Sequence, residues 1–328
     1  MRRDEFCKYL AALAASAAGD ALARKPARKA APRETVSLKI WIPANPGGGW
    51  DTTGRVLGKA IVEAGAADAV QYTNKGGAGG VIGLAQFTSS ARRDPHALMV
   101  MGAVMLGGII IGEPPVRLQA CTPVARLASE YNVFAVPAGS RFRTMAEVVA
   151  QLRKDPGSIK WGGGSRGSTE HVAACLLARS VGVDPKKINY VAFRGGGEAS
   201  AAVLAEDVTI GGSGYGEFAD SIQSGKMRAL GVTAAARLPN VPVPTLKEQG
   251  WNVVIRNWRG VYGAPGISRE EREKLADIVT RGTRAHAWRQ ALEANFWTPE
   301  LLTGSDFDAF VEQEFRDLRA LMRESGMV

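Results

Sequence analysis

From Ser37 onward, apolar and polar positions follow two alternating periods. "SLKIWIPA" alternates as a strand does. "DTTGRVLGKAIVEAG" then places Val56, Leu57, Ala60, Ile61 and Ala64 on one face of a helix. "AVQYTN" predicts a strand, "GVIGLAQFTSS" a helix, and the continuous apolar run "ALMVMGAV" a buried strand. A second series follows "YNVFAVPAGS". Thr144 and Glu147 form a capping box for a helix over 145–153. Then come strand "SIKW", helix 168–181, strand "INYVAF", helix 197–205, strand "VTIGG", helix 215–224 and strand "MRALGVTA". "VVIRNWRGVYGAP" carries the chain onward, and Ser268 with Glu271 caps another helix. "SDFDAFVEQEFRDLRALM" spaces Phe307, Phe310, Val311, Phe315, Leu318 and Leu321 as a packing helix.

Strands alternating with helices across short loops predict an α/β fold, a parallel sheet flanked by helices, with ligands at the carboxyl ends of the strands. Two such series, joined by extended segments near 130–137 and 253–262, predict two lobes with two crossovers. The lobes are read as 36–136 plus 258–328, and 137–257.

The N-terminus changes the picture of location. Arg2-Arg3, an alanine-rich apolar run from Tyr9 to Ala18, and Ala21-Leu22-Ala23 have the layout of a cleaved secretory signal over residues 1–23. The paired arginines loosely suggest the twin-arginine type. Asp4 and Glu5 weaken the export reading slightly, and its rival is an ordinary amphipathic helix. A basic tail over 24–35 carries Arg24, Lys25, Arg28, Lys29 and Arg33 with no acid up to Arg33. The formal charge of +9 therefore overstates the body of the chain, where residues 34–328 hold 33 basic and 29 acidic side chains. No basic stripe interleaved with aromatics points to nucleic acid. The three histidines, His96, His171 and His286, are scattered, so no metal site and no cofactor is expected. Cys121 and Cys175 are open to pairing or to remaining buried thiols.

Candidate chemistry lies in four glycine-rich turns after predicted strands: "NPGGGWD" (45–51), "NKGGAGG" (74–80), "WGGGSRGSTEH" (161–171) and "FRGGGE" (193–198). Glycine admits close approach of the backbone to a ligand, and a turn opening a helix offers unpaired N–H groups to an anion. Three readings compete. A nucleotide site lacks its phosphate-loop motif, and "GGAGGVIG" fits a dinucleotide fingerprint only loosely. A serine esterase would use the G-x-S-x-G at Ser165, with an acid such as Asp277 and His286 following in order. Yet His286 lies in a polar helical stretch, and His171 is only six residues past Ser165. Binding without turnover suits backbone donors and the hydroxyls of Ser165, Ser168 and Thr169, a set with no acid–base pair. Asp51 reads as the cap of a helix over 52–64, with ligand contact as the alternative. Trp50 reads as partly exposed at the cleft edge, either covering the ligand or packing.

These residues carry a resemblance. "PANPGGGWDTTGR", "NKGGAGGVIG", "GSRGSTEH", "YVAFRGGGEA", "GKMRALGVTAAARLPNVPVPTLKEQG" and "GVYGAPGIS" occur in order from about Val36 to the C-terminus. Together they resemble the receptors of tripartite tricarboxylate transporters, the Bug family, with "GGGWD" nearer the tricarboxylate-receptor branch. The resemblance implies a two-lobed periplasmic binding protein of type II-like fold that closes around a di- or tricarboxylate. It would deliver that anion to the membrane components of the transporter, as an exported, signal-cleaved monomer without catalytic activity. It implies that Asn45, Pro46, Gly48, Gly49, Trp50 and Asp51, with Gly77, Ala78 and Gly79, hold a carboxylate from the first lobe. Ser165, Ser168, Thr169, His171, Gly195 and Gly196 would approach from the second. One departure is "WGGGSRGS", where a serine or threonine is more usual near Gly163. Arg166 beside it would pair a second carboxylate or point to solvent.

Overall fold

The computed structural model describes residues 35–115 and 117–328. The expected signal peptide (1–23) and, but for Thr35, the basic tail (24–35) lie outside them.

The first series runs β1 (Ser37–Ile42), α1 (Gly49–Glu63), β2 (Ala69–Asn74), α2 (Val81–Ser90), β3 (Ala97–Gly102) and α3 (Ala103–Gly112). β4 (Thr122–Pro137) then leads to α4 (Met145–Lys154), β5 (Lys160–Gly163), α5 (Thr169–Ser180), β6 (Asn189–Ala192) and α6 (Gly196–Leu204). β7 (Ile210–Gly214), α7 (Tyr215–Gln223) and β8 (Met227–Val232) complete the second series. The chain returns through β9 (Arg256–Gly263), α8 (Arg269–Thr283), α9 (His286–Ala294), β10 (Thr298–Thr303) and α10 (Gly304–Glu324).

In β1 every second side chain, Leu38, Ile40 and Ile42, is buried, whereas all six residues of β3 are buried, as their patterns require. β1 pairs in parallel with β2 and β3. In the second half β5 pairs in parallel with β6 and β7. Both capping boxes form, at Thr144/Glu147 and Ser268/Glu271.

The sixteen-residue β4 joins the two halves. Residues 122–131 pair antiparallel with β9, and 125–129 with β10, whereas 132–137 pair with β7 and β8. Its partners thus change between Tyr131 and Asn132. The returning chain is tied to the same point by buried Thr233. The Thr233 N–H donates to the Asn132 carbonyl (2.9 Å), and Thr233 Oγ1 accepts from the Asn132 N–H (3.0 Å) and donates to the Ile255 carbonyl (2.9 Å). The two crossing segments are thus held side by side at this point. α8 and α9 pack on α1, which returns the C-terminal segment to the first half.

Two extended stretches and one helix differ from the pattern-based expectation. The start of β4, all of β10, and α3 with its sequence "AVMLGGIIIG" were not predicted. α3 is apolar all round and so shows no helical period.

Candidate functional site

A cavity of about 520 Å³ lies between the halves. All four glycine turns reach it. Asn45, Gly48, Gly49 and Trp50 line it from the first turn, Gly77, Ala78 and Gly79 from the second, Ser165 and Ser168 from the third, and Gly195 and Gly196 from the fourth. Pro46, Asp51, Thr169 and His171 are not among its lining residues.

Gly48, not Asp51, is the residue before α1, and the helix has no side-chain cap. With the helix starting at Gly49, Asp51 falls in its first turn. Its carboxylate reaches back to accept the Gly47 N–H (2.9 Å) and also accepts from Arg55 Nε (2.9 Å) and Asn74 Nδ2 (2.9 Å). Burial pulls this carboxyl upward, but Arg55, the Gly47 N–H and Asn74 outweigh it and hold it below its ordinary value. Asp51 therefore fastens the turn to its own lobe. Trp50 is only 9% exposed, not an open edge. Its ring lies under the second turn, where a Cβ at Gly80 would stand 2.7 Å from it; Gly80 has a φ of 94° besides, so both space and backbone require glycine there.

The third turn has a parallel construction. Ser168 is the N-cap of α5, its Oγ facing the His171 N–H at 3.5 Å. Buried Glu170 accepts the Gly164 N–H (3.3 Å) through one carboxylate oxygen and the Thr169 hydroxyl (3.1 Å) through the other. Burial pushes the Glu170 carboxyl up. The His171 ring stacks on Tyr190 with centroids 4.0 Å apart, and its Nδ1 accepts the Gly167 N–H (3.2 Å). Burial, with Arg166 nearby, pushes this imidazole down to about 4. Thr169 and His171 thus brace the turn from behind.

The residues of an esterase are not brought together. Ser165 Oγ is buried with no hydrogen-bond partner among the described residues, and the His171 Nδ1 lone pair is occupied. His286 and Asp277 are exposed on α9 and α8, where the His286 N–H donates to Glu63. Among the described residues, no nucleophile–base pair is formed at the G-x-S-x-G sequence.

Sequence reasoning missed a buried polar group at the cavity floor. Arg259 on β9 donates to the Gly49 carbonyl (2.5 Å) and Thr53 Oγ1 (2.9 Å), pairs with Glu130 on β4, and stacks over Trp297. Its Nε has no partner among the described residues. Asn257, two residues back and hence on the same strand face, donates to Glu130 through Nδ2 (3.0 Å). Burial is the largest influence on the Glu130 carboxyl and pushes it up, although Arg259 opposes this. Glu217 on α7 accepts the Ser213 hydroxyl (2.6 Å) and, from across the cleft, the Gly49 N–H (3.1 Å). The alternation of Asn257 and Arg259 within the apolar run "IRNWRGVYG" was the available signal. Nothing local marks Glu130 or Glu217.

Elsewhere the halves meet closely: a Cβ at Gly107 of α3 would strike the Gly167 carbonyl, so only glycine admits this contact. Cys121 and Cys175 are buried free thiols, both pushed up to about 12 by burial. Among the described residues, no His, Cys, Asp and Glu group could hold a metal ion, and no helix is long and apolar enough to cross a membrane.

Residues 55–327 match the model of the tripartite tricarboxylate transporter family receptor. A protein encoded in the tcbD–tcbE intergenic region of Pseudomonas sp. (strain P51) is 28% identical over 263 residues, 77% of this chain and 75% of its own. Two solved structures share the fold. One is Rpa4515 of R. palustris with adipate (TM-score 0.78, 20% identity, 90% of this chain and 98% of that one). The other is MatC of Rhodopseudomonas palustris with bound malate (TM-score 0.75, 21% identity, 88% and 99%).

Proposed function

This chain belongs to the tripartite tricarboxylate transporter receptor family, and we propose that it is an exported periplasmic receptor that binds a di- or tricarboxylate and delivers it unchanged to the membrane transporter. The observation that carries this reading is the cavity itself. Glycine turns from both halves converge there, and the guanidinium groups of Arg166 and Arg194 stand exposed beside it. Helix-opening N–H groups and guanidinium forks are hydrogen-bond donors suited to carboxylates, and the Ser165 hydroxyl adds another. The malate and adipate bound by the two similar structures agree with that chemistry.

In this reading the jaws are close to the expected 36–136 plus 258–328 and 137–257, with the first boundary drawn back to Tyr131/Asn132, where β4 changes partners, and they move about the crossing at Asn132 and Thr233. The ligand contacts are the turn residues that line the cavity. Pro46, Asp51, Thr169 and His171 shape those turns from behind. The receptor acts as a monomer, without turnover and without nucleic acid, after removal of residues 1–23.

Thermal unfolding against a panel of di- and tricarboxylates, nucleotides and acyl esters tests the proposal. A ligand at one hundred times its Kd should stabilise the fold by about 3 kcal/mol. The expected result is such a shift with a carboxylate and unchanged ligand recovered afterwards. Stabilisation by nucleotides alone, or ester hydrolysis abolished by Ser165→Ala, would overturn it.

A further inference from the structure

One end of the cavity holds more hydrogen-bond acceptors than a bare carboxylate can use. Glu130, Glu170 and Glu217 lie near enough that the last two both push the Glu130 carboxyl up. Arg259 is buried among them and already bonded to Glu130, Gly49 and Thr53. This group does not converge as metal ligands do.

Two acceptors there remain open. Glu217 lines the cavity, and its carboxylate can accept about four hydrogen bonds, of which Ser213 and Gly49 supply two. Asn257 also lines the cavity and is 8% exposed. Because a carboxylate only accepts, the bond from Asn257 Nδ2 to Glu130 fixes the amide's orientation and turns Oδ1 the other way. That Oδ1 is buried and has no partner among the described residues. Another part of the lining differs in kind. Ser165 Oγ, also unpartnered, faces the turn at Gly79, where a Cβ would stand 3.3 Å from it, and Arg166 adjoins it in sequence.

We propose that the ligand is a carboxylate bearing a hydrogen-bond donor, a hydroxyl or an ammonium group, and that Glu217 and Asn257 receive that donor. The carboxylate then lies toward Ser165, Gly79 and Arg166. This deepens the receptor reading above and rests on it. An unsubstituted acid that sets its second carboxylate directly against Glu217 would be repelled, whereas a donor on the carbon beside that carboxylate engages Glu217 and offsets the repulsion. A donor fills the open lone pairs, and an ammonium adds charge assistance.

Matched acids test the proposal by calorimetric titration of the full chain. At each of three lengths the set differs only at C2: succinate, malate and aspartate; glutarate, 2-hydroxyglutarate and glutamate; adipate, 2-hydroxyadipate and 2-aminoadipate. At the preferred length the hydroxy or amino acid should bind at least tenfold more tightly than the unsubstituted acid. Which of the two wins identifies the donor. Glu217→Gln keeps an acceptor for the Gly49 N–H, and Asn257→Leu removes the open amide oxygen. Each should cut the preference at least fivefold. Equal binding of substituted and unsubstituted acids overturns the proposal and leaves the receptor reading standing, as does a preference that survives both substitutions. Silence from all nine acids overturns the proposal. Silence from every carboxylate in the thermal panel as well overturns the receptor reading too.

Discussion

The turns that open α1 and α5 share one device and balance it differently. In each, an acid in the first helical turn reaches back to a glycine N–H, Asp51 to Gly47 and Glu170 to Gly164. Asp51 is matched by Arg55 and Asn74 and is held below its ordinary value. Glu170 has the Thr169 hydroxyl and the Gly164 N–H, and burial pushes it up. The first jaw is thus a charge-balanced anvil. The second buries an acid with no ion pair among the described residues, beside an imidazole that burial pushes down, so discrimination should reside there, and acid sensitivity through that imidazole.

The largest effect should come from breaking the balanced turn. Asp51→Ala leaves the Gly47 N–H without its acceptor and takes one acceptor each from the Asn74 amide and Arg55. Loss of a partnered, largely buried carboxylate should cost about 3 kcal/mol in urea unfolding. A loss below about 1 kcal/mol would show that the turn holds itself.

Acid should act next, and through the second jaw. The His171 imidazole titrates near 4 in the fold against an ordinary value of 6.5. Between those values the unfolded chain binds the additional proton, so stability is full above pH 6.5 and declines toward pH 4. The decline from this group should reach about 2 to 3 kcal/mol. Asp51, whose value is lowered, adds its own loss only below its ordinary 3.8. Unfolding measured from pH 7 to 4 in His171→Asn should show a visibly flatter profile than the wild type. An identical profile would remove His171 from the account.

Glu170→Gln should have the smallest effect. The amide still accepts the Gly164 N–H and removes a buried carboxylate with no ion pair among the described residues. The change at pH 7 should stay within about 1 kcal/mol of the wild type, in contrast to Asp51→Ala. A loss as large as that of Asp51→Ala would erase the distinction between the jaws.

Much of this was legible in the sequence because the signals are local. The four glycine turns follow strands and open helices, and all four reach the cavity. The capping boxes at Thr144 and Ser268 formed as read. What was missed is set by pairing at a distance. The first part of β4 and β10 are strands because they pair with one another across some 170 residues of chain. Arg259 meets Glu130 through the β4–β9 register, and Glu217 meets Gly49 only across the cleft. Trp50 misled because adjacent glycines suggested exposure, whereas its burial depends on the second turn folding over it.

The central claim is that a carboxylate is held between two jaws that close on it. Gly107 and Gly167 meet where those jaws touch, and a larger side chain at Gly107 would wedge them apart. The direct measurement is a calorimetric titration of the wild type and of Gly107→Leu with the carboxylate that most raises the unfolding temperature. The wild type should bind one equivalent with a Kd on the order of 1 μM, and Gly107→Leu should bind at least a hundredfold more weakly while remaining folded. Equal affinity in the two proteins would contradict the account.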